Sequence, residues 1–258
     1  MNRKEKIIVA TMPKSGTYLI ANILKEMSII DCEMHLSEYQ YSDYRNLTPE
    51  EKIANVVDLT IHEPLEVAIT KVMPGQFVVG HIPYTLEIDG LFGDFSKIIS
   101  VRHPRSALVS AMRFEERRIR ANPNWLSGSR DWVEISCRFE KMEAFLRQLG
   151  GGYMSEFKYS TLWMDAYPSN VVQFEKITGM HGYDNQVLEF KRILDIVNCN
   201  HVLISDIIEK SLWMPTPTYS GSISNVDECW NDNCEEIFEH LGGIELTEKL
   251  GYEPNLNI

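Results

Sequence analysis

Lys14, Ser15, Gly16 and Thr17 follow the apolar run Ile7–Ala10 and precede a stretch in which Leu19, Ile20, Ile23, Leu24 and Met27 recur at helical spacing. A buried strand, a tight turn and a helix in that order build an anion site. A glycine in the turn lets backbone N–H groups converge, the helix N-terminus adds positive potential, and Lys14 adds a full charge. The order of the residues also excludes a chemistry. A Walker A loop needs Gly-Lys-Ser/Thr with a glycine upstream and a hydroxyl for Mg²⁺, whereas here Lys14-Ser15 precedes Gly16 and the upstream residues are Thr11, Met12 and Pro13. A second basic end follows the β-type run Lys97-Ile98-Ile99-Ser100-Val101, where Arg102 leads through His103-Pro104-Arg105 into a helix that carries Ser110. Between the two lies Phe77-Val78-Val79-Gly80, a strand pattern ending at His81. A neutral imidazole there is a candidate proton acceptor near pH 7, since histidine titrates near ~6.5.

Pro13-Lys14-Ser15-Gly16-Thr17 resembles the 5′-phosphosulfate loop of the cytosolic-type sulfotransferases, which take a sulfonate from 3′-phosphoadenosine 5′-phosphosulfate (PAPS). Arg102 and Ser110 resemble the arginine and serine that hold the 3′-phosphate in that family, and His81-Ile82-Pro83 is similar to its His-Leu-Pro segment. Asn170–Lys176 resembles the family strand that ends in Tyr-Glu-Asp, and Leu250-Gly251-Tyr252 resembles its C-terminus. The resemblance implies an α/β fold of one domain over 1–258, with a central parallel sheet flanked by helices and a P-loop-like turn. It implies PAPS as co-substrate, no metal, and a small-molecule acceptor bearing a hydroxyl or amino group, a cationic natural product among the candidates. In overall character the chain is most similar to small bacterial natural-product sulfotransferases. The implied catalytic residues are His81 as base and Lys14 as cation; the implied nucleotide contacts are Lys14, Ser15, Gly16, Thr17, Tyr18, Arg102, Ser110, Gly221 and Ser222.

Several positions depart from the family pattern. Leu19 stands where a tryptophan commonly stacks on adenine, Phe174 where a tyrosine stands, and Val79 where a lysine precedes the histidine by two residues. Thr218–Asn225 replaces an Arg-Lys-Gly loop, leaving Gly221 and Ser222 as donors. Two other readings of the same residues stand beside this one: a P-loop nucleotide kinase, which shares the strand-turn-helix, and a catalytically silent nucleotide-binding protein of the same fold. His35 is a candidate acceptor contact, and Tyr39, Tyr41 and Tyr44 are spaced to form an aromatic wall. His103 is expected on the face opposite Arg102.

The elements that must position these residues are legible from periodicity. Strands are predicted at 6–11, 77–80, 97–102 and 170–174, and helices at 17–28, 105–120, 131–148 and 186–197, an alternation that favours a parallel sheet covered by helices. Trp132, Ile135, Phe139, Met142, Phe145 and Leu146 form the expected core face of the third helix, with Gly150-Gly151-Gly152 ending it. At 258 residues and 44% hydrophobic the chain can bury a full core. Its net charge of −12 argues against broad nucleic-acid binding, so the basic residues concentrated between Lys97 and Arg120 mark a local anion site, with Arg117, Arg118 and Arg120 equally readable as a solvated helix face. Five cysteines form neither a CxxC pair nor a zinc spacing, which suits reduced thiols in a cytoplasm. Ile7–Ala10 is too short for a signal peptide or a membrane span, so no membrane association is expected.

Overall fold

Ile7, Ile8, Val9 and Ala10 are all buried, and they alternate between two cores. Ile8 and Ala10 face one side and Ile7 and Val9 the other, the period-two consequence of extended backbone. A strand apolar on both faces belongs in the middle of a sheet, and β1 (Lys6–Thr11) is central in the order β4-β3-β2-β5-β1-β6-β7. The computed structural model describes residues 5–48, 51, 60–121, 130–199, 202–212, 214 and 226–254.

The segments that follow β1 are α1 (Thr17–Glu26), β2 (Ile30–Leu36), β3 (Tyr41–Asp43) and β4 (Thr60–Ile61). They are succeeded by α2 (Leu65–Ala68), β5 (Gln76–Gly80), α3 (Leu86–Leu91), β6 (Phe95–Val101) and α4 (Pro104–Ala121). Strands β2, β5, β1, β6 and β7 (Val171–Gln173) run parallel, and β3 and β4 pair antiparallel on one edge. In chain order α5 (Arg138–Phe145) and α6 (Gly151–Ala166) precede β7. After it come α7 (Phe174–Ile177), α8 (Tyr183–Ile196), α9 (Ile204–Leu212), α10 (Asp232–His240) and α11 (Gly243–Lys249). Helices α1, α8 and α9 cover one face of the sheet through Ile20, Ile23, Phe190, Ile193 and Ile207. Helices α4, α5, α6, α10 and α11 cover the other through Leu108, Met112, Phe145, Phe157, Phe238 and Leu246. The result is a single α/β domain with a mostly parallel sheet between two helical layers. No described helix is long and apolar enough to cross a membrane.

The predicted strands and the first, second and fourth helices lie where periodicity places them, within a few residues. Two expectations are corrected. Phe174 does not end a strand; it opens α7. The glycine run does not end a helix: α5 passes through a π-type turn at Leu146–Gly150 directly into α6. Gly150 permits this because a Cβ there would stand 3.0 Å from Leu241 on the neighbouring chain segment, so the small residue serves close packing rather than flexibility. In the same region Phe139, expected in the core, is 39% exposed, whereas Trp132, Met142, Phe145 and Leu146 are buried.

Because five strands are parallel, their carboxyl ends lie along one edge, where open α/β sheets bind ligands. Thr11, Leu36, Gly80, Val101 and Gln173 end there, and the chain leaves them into Met12, Ser37, His81, Arg102 and Phe174. Gly80 fixes the spacing of the two strands that carry histidines, since a Cβ on it would lie 2.6 Å from the Leu36 carbonyl oxygen. Gly80→Ala is therefore expected to lower unfolding free energy by about 1–3 kcal/mol, as overpacking does, measured by urea denaturation; an unchanged midpoint would show that β2 and β5 are not held at this distance.

Candidate functional site

The turn after β1 is held by a reciprocal pair of serines. Ser15 Oγ donates to the carbonyls of Met12 (2.6 Å) and Ser100 (3.0 Å), while Ser100 Oγ donates to the Ser15 carbonyl (2.8 Å). The Met12 amide donates to the Ser100 carbonyl as well, at 2.9 Å. Ser15 is fully buried, so its hydroxyl shapes the loop and does not face the cavity beyond it. With the loop clamped, Lys14 and Gly16 both take positive φ, 67° and 89°. For Lys14 this left-handed backbone costs roughly 1–2 kcal/mol; Gly16 adopts it freely. Gly16 also leaves room for the Phe174 ring, whose Cδ2 would lie 2.6 Å from a Cβ at position 16.

A cavity of about 840 Å³ opens at this loop. Lys14, Gly16, Thr17, Tyr18, His81, Arg102 and Ser110 all line it, so the fold brings together these residues from three separate stretches of sequence. Lys14 Nζ is buried with no hydrogen-bond partner and sits 3.9 Å from the centre of the Phe114 ring. Burial, with Arg117 and Arg102 adding to it, pushes its pKa down to about 7. Arg102 is 4% exposed, donates from one terminal nitrogen to the Lys14 carbonyl (3.1 Å), and packs its guanidinium 4.2 Å from the Phe174 ring centre. Its Nε has no partner. Burial lowers the Arg102 pKa to about 10, against the pull of Glu175, so it remains charged at neutral pH. Ser110 lies one turn before Phe114 on the same face of α4, which places both on the cavity wall.

Thr11 is the residue that motif reading passes over. As the last residue of β1 it faces the cavity, and its Oγ1 lies 2.8 Å from Thr17 Oγ1 and 3.0 Å from His81 Nδ1. His81 Nδ1 is also 2.9 Å from the Thr11 carbonyl oxygen. A carbonyl only accepts, so Nδ1 carries the proton and donates, which leaves the Nε2 lone pair as the ring's free acceptor. Burial pushes the His81 pKa down to about 4, with the Lys14 charge acting the same way and the Thr11 carbonyl opposing. His81 is thus a neutral base at pH 7.

His35 and two of the three tyrosines also reach the cavity, Tyr39 and Tyr44; Tyr41 turns into the core at 3% exposure because β3 alternates. Arg118 lines the cavity, whereas Arg120 points outward to Glu116. His103 is buried on the opposite side, where its Nδ1 accepts from the Arg105 amide and its ring meets Tyr252. Leu19, Leu212 and Met214 form the apolar end of the cavity beside Phe174. Gly221 and Ser222 lie outside the described residues, as does the rest of Thr218–Asn225. Among the described residues no group of three or more His, Cys, Asp and Glu is arranged to hold a metal ion.

No protein-family model matches the chain. A curated relative, an uncharacterized protein of Archaeoglobus fulgidus, is 26% identical over 110 residues, which are 41% of this chain and 40% of that protein's length. Among solved structures, that of mouse sulfotransferase SULT7A1 complexed with PAP superposes with a TM-score of 0.58, covering 96% of this chain and 89% of that one at 15% identity. The likeness shows that this chain has a sulfotransferase-like fold.

The neutral, buried histidines make stability depend on pH. In the unfolded chain a histidine binds its proton near pH ~6.5, while folded His81 and His103 resist it until about pH 4 and burial holds His35 well below its usual value as well. The unfolded state therefore holds more protons between these limits, and stability, full above pH 6.5, falls as pH drops toward 4 by up to ~1.4 kcal/mol per unit for each such histidine. Urea titrations across that window should show the slope, and His81→Gln should remove one histidine's share; a flat profile would mean that the imidazoles charge freely in the native state.

Proposed function

We propose that this chain is a sulfotransferase, with residues 1–258 as the transferase domain, moving a sulfonate from PAPS to a hydroxyl or amino group of a small-molecule acceptor. The observation that carries this reading is the convergence of Lys14, Gly16, Thr17, Arg102 and Ser110 on one cavity with a neutral imidazole, Lys14 Nζ and Arg102 Nε being buried without hydrogen-bond partners. Uncompensated buried charge is costly, and a ligand with two separate anionic groups relieves it at both places. The turn adds a glycine in left-handed backbone and the N-terminus of α1, which favours an anion. The fold shared with the PAP-complexed mouse enzyme supports the same reading.

On this reading Lys14, the Gly16 amide and the Thr17 hydroxyl hold the 5′-phosphate side of the nucleotide, with Tyr18 behind them, and Arg102 and Ser110 hold the 3′-phosphate. Ser15 contributes by fixing the loop. Leu19, Phe174, Leu212 and Met214 offer the base an apolar slot. The acceptor occupies the part of the cavity bounded by Tyr39, Tyr44 and His81. Its oxygen or nitrogen attacks sulfur as the bond from sulfur to the 5′-phosphate oxygen breaks, and adenosine 3′,5′-bisphosphate (PAP) departs. The acceptor's proton passes to His81 Nε2, the acceptor atom that the Thr11 hydrogen bonds leave free. Negative charge accumulates on the departing phosphate, and on this reading Lys14 and the turn amides stabilise it.

PAP should bind more tightly than AMP by about 10- to 100-fold, the effect of charged hydrogen bonds to the 3′-phosphate at about 1.5–3 kcal/mol each, and Arg102→Ala should abolish most of the difference. Calorimetry showing equal affinities in the wild type would remove the second phosphate site and the function with it. Binding should also take up a proton at pH 8. Lys14, near pKa 7 when alone, is mostly neutral there and charges when a phosphate arrives, so binding enthalpies in buffers of different ionisation heat should differ, and Lys14→Met should erase the difference.

His81→Ala should leave PAP affinity unchanged and slow transfer to a phenol by about 10²–10⁴-fold, the range for loss of a general base. Near-normal turnover in that variant would place the base elsewhere.

A further inference from the structure

Sulfonate transfer, as proposed above, presents oxygens that need donors, and on that reading Lys14 serves the 5′-phosphate side. Strand β2 supplies a second group at the same edge. It runs parallel to β5 with His35 opposite Val79 and Leu36 opposite Gly80, so the chain carries His35 to the cavity beside His81. The two rings meet edge to face, with centroids 4.6 Å apart and planes at 66°. Position 79 itself contributes no polar group: Val79 is 4% exposed and packs into the core beneath α1.

The hydrogen bonding of His35 is set from behind. Tyr18, in the first turn of α1, places its hydroxyl 3.3 Å from His35 Nδ1. Burial raises the Tyr18 pKa well above its ordinary value, with Tyr44 against the same phenol adding to the effect, so the phenol keeps its proton. Tyr18 has one proton to give, and when it is given to Nδ1 the ring hydrogen stands on Nε2, the tautomer that the ¹⁵N measurement below decides. Burial, and the neighbouring His81, also hold the His35 pKa well below its usual value, so the ring stays neutral even when His81 is carrying the acceptor's proton. A cation in that place would oppose the protonation of His81; a neutral N–H does not. The groups that face His35 are Tyr18 from α1, His81 from the end of β5 and Tyr44 after β3, with Lys14 acting on His81 from the loop.

We propose that His35 is a second catalytic residue of this centre, its Nε2–H donating to an oxygen of the transferred sulfonate while His81 takes the acceptor's proton. The bonds broken and formed are those of the transfer already described; His35 neither gains nor loses a proton. The proposal rests on the sulfotransferase reading, and its test uses no acceptor.

Affinities for PAPS and PAP are measured by calorimetry in the wild type, His35→Ala and His35→Gln. If His35 touches the sulfonate, His35→Ala weakens PAPS by about 10-fold, as loss of a hydrogen bond to a charged group does, and leaves PAP unchanged, while His35→Gln, which keeps an N–H, retains most of the PAPS affinity. Equal losses for both nucleotides would make His35 a structural residue, and no loss for either would place it outside the site; both overturn the proposal. Should His35→Ala fail to fold, His35→Gln against His35→Phe supplies the same comparison. ¹⁵N NMR of the wild-type ring should report the Nε2–H tautomer, and an Nδ1–H tautomer also overturns the proposal. A wild type that binds neither PAPS nor PAP would instead bring down the sulfotransferase reading itself.

Discussion

The reciprocal hydrogen bonds between Ser15 and Ser100 are what the site depends on. A chain leaving β1 at Thr11 must reverse into α1 within a few residues, and it does so with Lys14 and Gly16 both in left-handed backbone. Such a turn is not stable by itself, and its buried carbonyls must find donors. Two hydroxyls supply them by binding the loop to the last turn-facing residue of β6. Once the loop is fixed to β6, the Lys14 carbonyl lies where the Arg102 guanidinium can donate to it, which ties the Arg102 side chain to the loop. Phe174 completes the arrangement from the start of α7, filling the space that the missing Gly16 side chain leaves and supporting Arg102 on its face.

Charge distribution then separates structural basic residues from ligand-directed ones. Arg105, as buried as Arg102, is paired through a two-point contact with Glu235, which also accepts from Trp230. Arg113 pairs with Glu228, and Lys141 and Arg120 with Glu116. In a chain of net charge −12, acidic partners are available almost everywhere. Lys14 Nζ and Arg102 Nε nevertheless remain without hydrogen-bond partners. On the proposed reading the desolvation cost is met when the protein folds, before an anion enters. Basic density along α4 is therefore a poor guide to the candidate site, since Arg105, Arg113 and Arg120 are all paired with carboxylates.

The sequence made some of this legible and hid the rest for identifiable reasons. The central strand, the turn and α1 form one continuous signal because β1 is apolar on both faces and α1 has an unbroken apolar stripe. Arg102 and His81 were legible as strand-end residues. Strand β2 does alternate, with Cys32, Met34 and Leu36 inward and Asp31, Glu33 and His35 outward, but it lacks an apolar run and a bulge with Glu33 at φ 57° interrupts its register between Asp31 and His35. The passage from α5 into α6 was hidden by glycines, which read as a break when tertiary packing against Leu241 is unknown. Ser15 shows a subtler limit. A serine beside a phosphate turn has the same appearance whether its hydroxyl binds ligand or binds the loop, and only the position of Ser100 decides between them.

His81 and Lys14 share one cavity and one cause of perturbation, burial, yet their pKa values are driven to different places, about 4 and about 7. The difference matters when an anion arrives. Negative charge raises the proton affinity of both groups, and Lys14, already close to neutrality, charges first. On the proposed reading the charge on Lys14, which already lowers the His81 pKa, is held by the phosphate and offsets the phosphate's own pull on the imidazole. The Thr11 carbonyl meanwhile holds Nδ1–H in place, so the free lone pair keeps its direction. Environments that separate the pKa values of adjacent groups assign them separate tasks. On the proposed reading the lysine becomes a cation because the nucleotide is there, and the histidine remains a base for the same reason.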